Sequence, residues 1–339
     1  MPTMLMFIAL VAISSNLAPY LPRRDIFFGI TVSAGFRNGP VARSVSRRYA
    51  VEVWSLGLVA AALVATSPMP LLSGPMLLAQ TLGASVAFVN ARRAVRPYAA
   101  APATVREAEI GPRPGLPGGM VGQIGPFLIL AGAAVYVGLH WSAVPARFPT
   151  HWNLAGKPDG WTTKTVGGVF RGVLLGFFIC SMTLFTSFAI LYRTRPPRVM
   201  GSDGLQSRRV RHVNLVAMLA SEYLLALLLA WTSVVATFSG DAGQRLPLVF
   251  RLAPFGLIII GSLAIRVMRR TVASQESPVG DTTPDSSWLF GRLYLNRADP
   301  ALFVEKRMGL GYTLNLGNPV SWLVLIVAVA GLSILLLLA

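Results

Sequence analysis

The stretch Val144–Lys164, VPARFPTHWNLAGKPDGWTTK, decides how this chain is read. It is polar and turn-forming, and apolar segments flank it near 120–140 and 167–192. Each flank has the roughly 20 apolar residues that a helix needs to cross a bilayer core. Counting His140 just upstream, this short region holds two of the three His residues. With Trp141 it also holds three of the seven Trp, the others being Trp152 and Trp161. Trp suits the headgroup level, where its ring and its N–H are both satisfied. The loop therefore reads as a built surface at a membrane face.

Working outward, 54% of the 339 residues are hydrophobic and only 13% are charged. Soluble domains carry about 25% charged residues, so a polytopic membrane protein is expected. Apolar segments fall near 3–20, 50–67, 69–90, 120–140, 167–192, 213–238, 248–267 and 320–338. The first has no basic residue before it and no clear small-x-small cleavage site, so it reads as a retained helix and not a signal peptide. The single Cys180 lies inside a span and cannot form an internal disulfide. Only three of the 30 basic residues are Lys, a bias that a GC-rich bacterial genome would produce.

The net charge of +17 invites a nucleic-acid reading. The distribution of the charge argues against it. Alternate loops beginning at Pro22, Ala91, Arg193 and Arg266 carry 24 of the 30 basic residues. Cytoplasmic loops hold Lys and Arg in excess. Both termini and the Trp-rich loop are thereby expected outside, in the bacterial plasma membrane. Lipid is the expected partner, and nucleic acid is not.

The expected fold is an all-α polytopic membrane protein of about eight helices, with a small β-rich cytoplasmic module before the last. Five regions follow: 1–119, 120–192, 193–270, 271–319 and 320–339. Thr271–Ser287 reads as a flexible linker. LFGRLYL, ALFVEKR and GYTLNL read as three short strands. Gly309-x-Gly311 lacks the strand–turn–helix context of a dinucleotide site. In the first loop, DIFFGITVSAGF reads as a strand or re-entrant piece. The RNGPVARSVSRRY after it reads as an interfacial helix or an ordinary topogenic loop.

In the outer loop, His151 and Asn153 share one face of an extended run. Pro158-Asp159-Gly160 reads as a tight turn. His151, Asn153, Gly156, Asp159, Gly160 and Lys164 form a candidate surface for a ligand or partner. A metal held by His151, Asp159 and His140 is a second reading, although structural zinc usually takes four ligands. A turn that satisfies its own backbone is the third. Within the spans, Asn214, Ser221, Glu222 and Ser233 recur near multiples of 3.6, and Cys180, Thr183 and Ser187 form a matching row. Glu222 lies roughly 14 Å from the inner end of its helix. Two such rows could line a cavity or serve as packing hydrogen bonds. No Ser-His-Asp set, HExxH, CxxC or P-loop is present, so neither catalysis nor a cofactor is expected.

The loop resembles the signature of a bacterial membrane family that includes the SdpI-type bacteriocin immunity proteins (DUF1648). The matching residues are Pro145, Pro149, His151, Asn153, Gly156, Pro158, Asp159, Gly160 and Lys164, within roughly 120–190. Gly291–Asn315 resembles a second module, DUF5808, through Tyr294, Asn296, Asp299, Pro300, Phe303, Val304, Lys306, Gly311, Thr313 and Asn315. The first resemblance implies a receptor that meets a secreted peptide and signals to a cytoplasmic partner. The usual C-terminal immunity half is absent after the fifth span, and the second module takes its place. A non-enzymatic envelope sensor or immunity-type receptor is the resulting expectation. A small-solute transporter or channel using Glu222 is the alternative.

Overall fold

The computed structural model describes residues 2–20, 25–33, 35–66, 73–101, 115–153, 157–194, 204–240, 256–257, 259–261, 263–264, 266–267, 283–307 and 311–337. Seven of its helices are α1 (Pro2–Leu17), α2 (Pro40–Thr66), α3 (Ser73–Val95), α4 (Gly119–Leu139), α5 (Val166–Tyr192), α6 (Gly204–Phe238) and α7 (Pro319–Leu337). Four antiparallel strand pairs accompany them: β1 (Ile26–Phe27) with β2 (Ile30–Thr31), β3 (Arg147–Trp152) with β4 (Pro158–Thr163), β5 (Trp288–Leu289) with β6 (Leu293–Tyr294), and β7 (Phe303–Glu305) with β8 (Tyr312–Leu314). Pro40–Thr66, Gly119–Leu139, Val166–Tyr192 and Arg211–Phe238 are long and apolar enough to cross a membrane, and Met4–Tyr20 and Pro319–Leu335 are shorter apolar helices. This is the architecture of a membrane protein. The expected segment at 248–267 lies largely outside the described residues.

The chain divides into two compact units. The first joins residues 1–108 to 277–318, so the module belongs with the N-terminal helices despite its distance in sequence. There α1, α2 and α3 pack together around Ala12, Tyr49, Val53, Ala84 and Phe88. The DIFFGIT segment is not a single strand. It is a hairpin that turns on Phe28 (φ 46°) and Gly29 (φ 73°). Two positive φ values are what a two-residue hairpin turn demands. Phe28 is fully buried, with its ring 5.0 Å from that of Tyr49 and 5.4 Å from that of Phe88. The basic run after it is not a separate interfacial helix. From Pro40, a residue preset for a first helical position, it is the start of α2.

The module repeats the same device. LFGRLYL is a hairpin and not one strand, because Phe290 (φ 52°) and Gly291 (φ 72°) turn it. The two turns meet: a Cβ on Gly29 would lie 2.7 Å from the Gly291 Cα. Arg92, at the end of α3, donates to the carbonyls of Phe28, Gly29, Asp285 and Trp288. Burial pushes its guanidinium below the ordinary value, and Asp285 partly restores it. Arg307 donates to the Gly29 carbonyl (3.1 Å), the Thr283 carbonyl and the Asp285 carboxylate. Thr31 Oγ1 donates to that carboxylate at 3.0 Å. The expected linker therefore ends before Thr283; its earlier part, 271–282, lies outside the described residues.

The second unit holds α4, α5, α6 and α7, with α6 packed against both α4 and α5 and α7 against α5. Pro126 stands inside α4. Having no N–H, it leaves the carbonyl four residues earlier without its helical donor. That carbonyl belongs to Gly122, and the Tyr223 hydroxyl of α6 donates to it at 2.9 Å. Gly125 makes room, since a side chain there would collide with the Tyr223 hydroxyl. Lipid offers no water to do this job. Tyr223→Phe is expected to cost about 1–3 kcal/mol by orphaning that acceptor. In a Pro126→Ala background the restored N–H takes over, so the cost shrinks. A double-mutant cycle on thermal unfolding in detergent measures this; additive losses would contradict it.

Candidate functional site

The Val144–Lys164 loop is a hairpin built on its two flanking helices. Phe148 of β3 is buried with Val144, Val137 of α4 and Val169 of α5. Thr162 is buried on the facing strand. The Thr165 hydroxyl accepts from the Gly168 N–H at 3.0 Å and caps α5 where the hairpin ends. Such caps stabilise a helix start by roughly 1 kcal/mol. Trp141 stacks on Phe170, and the Lys164 Nζ lies 5.4 Å from the Trp141 ring centroid. The base of the hairpin is thus tied to the helix ends.

The tip presents the polar groups. The strands pair Arg147 with Thr163, Phe148 with Thr162, Pro149 with Trp161 and His151 with Gly160. His151 Nδ1 lies 2.5 Å from the Asp159 carboxylate. A carboxylate only accepts, so Nδ1 carries the proton and neutral His151 leaves Nε2 as an acceptor. The His151 side chain is 71% exposed and that of Asp159 43%. Gly160 is required beneath the His151 side chain, because a Cβ there would come 2.8 Å from the His151 Cβ. Asn153 lies just beyond the end of β3. Its N–H donates to the Lys157 carbonyl and its side-chain oxygen accepts from the Lys157 N–H, so it closes the loop.

Two further expectations are corrected. Pro158-Asp159-Gly160 is strand and not turn, because the chain has already reversed between Asn153 and Lys157. A strand's first position also tolerates the missing Pro158 N–H. Lys164 sits at the base, four strand residues from Gly160 and so roughly 13 Å away, and does not join the His151–Asp159 pair. Gly156 lies outside the described residues. His140 is turned to its own helix, its Nδ1 donating to the Tyr136 carbonyl at 2.8 Å. Among the described residues no three His, Cys, Asp or Glu side chains converge. Arg147, which the sequence reading passed over, lies 5.1 Å from the Trp161 ring centroid; cationic residues next to Trp on paired strands were the available signal.

Of the intramembrane row, Glu222 and Ser233 lie on the buried face of α6 and Asn214 is half-buried. Ser221 donates to the Ala217 carbonyl of its own helix. On α5, Cys180 and Ser187 are buried and Thr183 is half-buried. Cys180 lies beside Glu222, but no hydrogen bond of ordinary geometry reaches either Glu222 oxygen among the described residues.

In the module, the polar residues are consumed internally. Tyr294 donates to Asp299 at 2.9 Å, and Asn296 donates to the Tyr294 hydroxyl at 3.1 Å. Asn315 donates to the carbonyls of Asn296, Asp299 and Ala301. The Gly311 carbonyl accepts from the Lys306 N–H, whose side chain is exposed.

These roles separate by energy. Phe148→Ala removes a packed aromatic and is expected to cost about 3–5 kcal/mol. His151→Ala removes an exposed pair worth about 0.2–1 kcal/mol. Thermal unfolding in detergent should show a large drop for the first and almost none for the second. Equal drops would place His151 in the hairpin's structure and not on a free surface.

Residues 128–175 match the model of a domain of unknown function, DUF1648. That match takes in the hairpin with parts of α4 and α5. Residues 297–322 match a family of unknown function, DUF5808, over most of the module and the start of α7. No curated protein and no solved structure matches. The chain carries a DUF1648 region and, C-terminal to it, a DUF5808 region.

Proposed function

We propose that this chain is a non-enzymatic receptor of the bacterial plasma membrane, an envelope sensor or SdpI-type immunity protein. Its β3–β4 hairpin meets an extracellular peptide or envelope ligand, and its module reports to a cytoplasmic protein. The observation that carries this is the exposed His151–Asp159 pair on a hairpin whose base is buried. An exposed acceptor and carboxylate suit a ligand rich in N–H donors or positive charge. They do little for the fold, which leaves them free for recognition.

Eight crossings, with both termini outside, fit the charge pattern, and the first unit adds support. Its β1–β2 hairpin and its module touch through Arg307. They therefore lie on one side of the membrane, and an even number of crossings separates them. The positive-inside assignment puts both in the cytoplasm. With α2, α3 and α4 crossing, the β3–β4 hairpin falls on the other side.

The test is a strain lacking the protein, challenged with secreted antimicrobial peptides. Wild-type protein is expected to restore survival. The combined His151→Ala and Asp159→Ala variant is expected to insert normally and fail to protect. A thiol placed at Asn153 should react with an impermeant reagent in intact cells, and one at Arg208 only after lysis. Full protection by the combined variant would sink the receptor reading, and the reverse labelling pattern its topology.

A second reading is favoured by one observation. Glu222 is 2% exposed with neither oxygen hydrogen-bonded among the described residues. Intramembrane acids commonly mark ion or proton paths. In this reading the chain is a small-solute transporter or channel. Glu222→Gln should then abolish flux in proteoliposomes while leaving peptide protection to the hairpin. Unchanged flux would eliminate it.

A further inference from the structure

The β5–β6 hairpin is apolar on both faces. Trp288 and Tyr294 are register partners and are 3% and 0% exposed, packed with Ala301 and Val304. Leu289 and Leu293, also register partners, lie on the opposite face and are 42% and 45% exposed. Leu295 continues that face at 40%, and Phe290 at the turn is 62% exposed. An antiparallel hairpin with one face in water alternates apolar and polar residues. WLFGRLYL does not. An apolar neighbour would suit the outer face.

Its position within the first unit identifies the cover. Arg292, in the same turn, lies 4.2 Å from the Phe88 ring centroid near the end of α3. Phe88 and Tyr49 face each other across α2 and α3 at 6.4 Å. On one side of that pair the two helices expose Val51, Trp54, Leu58, Leu82 and Val86. On the other side they expose Arg43, Arg47, Arg48 and Arg93. The pair marks the level where an apolar surface gives way to a basic one, which is where a bilayer's acyl region meets its headgroups. The apolar hairpin turn is held at that level. The Arg292 guanidinium is held over the Phe88 ring, while Arg297, two residues beyond Leu295, is exposed, and anionic lipid attracts such residues.

We propose that the β5–β6 hairpin is a lipid-binding element, with Phe290, Leu289 and Leu293 in the acyl boundary of an anionic leaflet and Arg297 at its phosphates. Aromatic and aliphatic residues bounded by Arg are the composition of interfacial anchors. Two-point attachment results: the Arg92–Arg307 cluster fixes the module to the helices, and the hairpin face fixes it to lipid. This goes beyond the receptor reading, since it requires no extracellular ligand.

The full chain, reconstituted in phosphatidylcholine–phosphatidylglycerol vesicles, is labelled with nitroxide at Phe290→Cys and, separately, Leu293→Cys. Cys180 is 1% exposed and stays unlabelled. Val86→Cys reports lipid and Lys306→Cys reports water. Both hairpin labels are expected to show oxygen collision rates near Val86 and nickel-chelate rates well below Lys306. They should become shallower in pure phosphatidylcholine. Labels as water-accessible as Lys306 would overturn the proposal and leave a protein as the cover. If Val86 itself collides with the chelate, the membrane placement of α3 fails, a result separate from both.

Discussion

The guanidinium of Arg307 joins parts of the chain that sequence keeps apart. It binds the Gly29 carbonyl, 278 positions away, together with Thr283 and Asp285. Arg307 is buried and also lies over the Trp288 ring. A buried guanidinium is tolerable only when its charge is paired and its N–H groups are used. Asp285 supplies the charge, and backbone carbonyls supply much of the rest. Two glycines set turn to turn make the approach possible, because neither has a Cβ to hold the hairpins apart. The contact also constrains topology, since two segments that touch must lie on one membrane face. The N-terminal helices and the module thereby become one structural unit, with the module fixed to the helices it follows by some 200 residues.

The sequence disclosed the membrane character, the apolar helices that the structure describes and the polar loop between α4 and α5, because these depend on composition over long windows. It was silent on the pairing of DIFFGIT with WLFGRLY. Both stretches carry an apolar-Phe-Gly pattern, but a largely apolar run reads as a strand unless the turn is looked for. Positive φ at Phe28 and Phe290 is an uncommon conformation that the flanking glycine and the tertiary contacts sustain. The Val144–Lys164 loop shows the opposite error. Pro158-Asp159-Gly160 has the residue types of a tight turn, yet the cross-strand demand of His151 for a glycine opposite decides its place in a strand. Turn propensity is local, and here a pairing nine residues away prevailed.

Pro126 teaches a similar point. From sequence it is a helix breaker inside a span. In the structure its cost is met by three other residues: Gly122 exposes a carbonyl, Gly125 clears space, and Tyr223 brings a hydroxyl. None of these is informative alone. The helix survives because α6 supplies the missing donor, a compensation that membrane helices need more than soluble ones do. The close fit of α4 against α6 and the tolerance of Pro126 are one arrangement.

The use of polar groups separates stability from recognition in this chain. In the module, Tyr294, Asn296, Asp299 and Asn315 hydrogen-bond to one another and to the backbone. At the β3–β4 tip, His151 and Asp159 bond each other and otherwise face solvent. An exposed pair of that kind adds at most about 1 kcal/mol to a fold. The hairpin already has its buried base, its α5 cap and its Trp141 contacts. Holding a histidine in one tautomer beside a carboxylate, over a glycine that admits nothing larger, is superfluous to that scaffold. The proposed receptor reading rests on that contrast: the module's polar groups are used by the fold, while the polar pair at the tip is held in place and exposed.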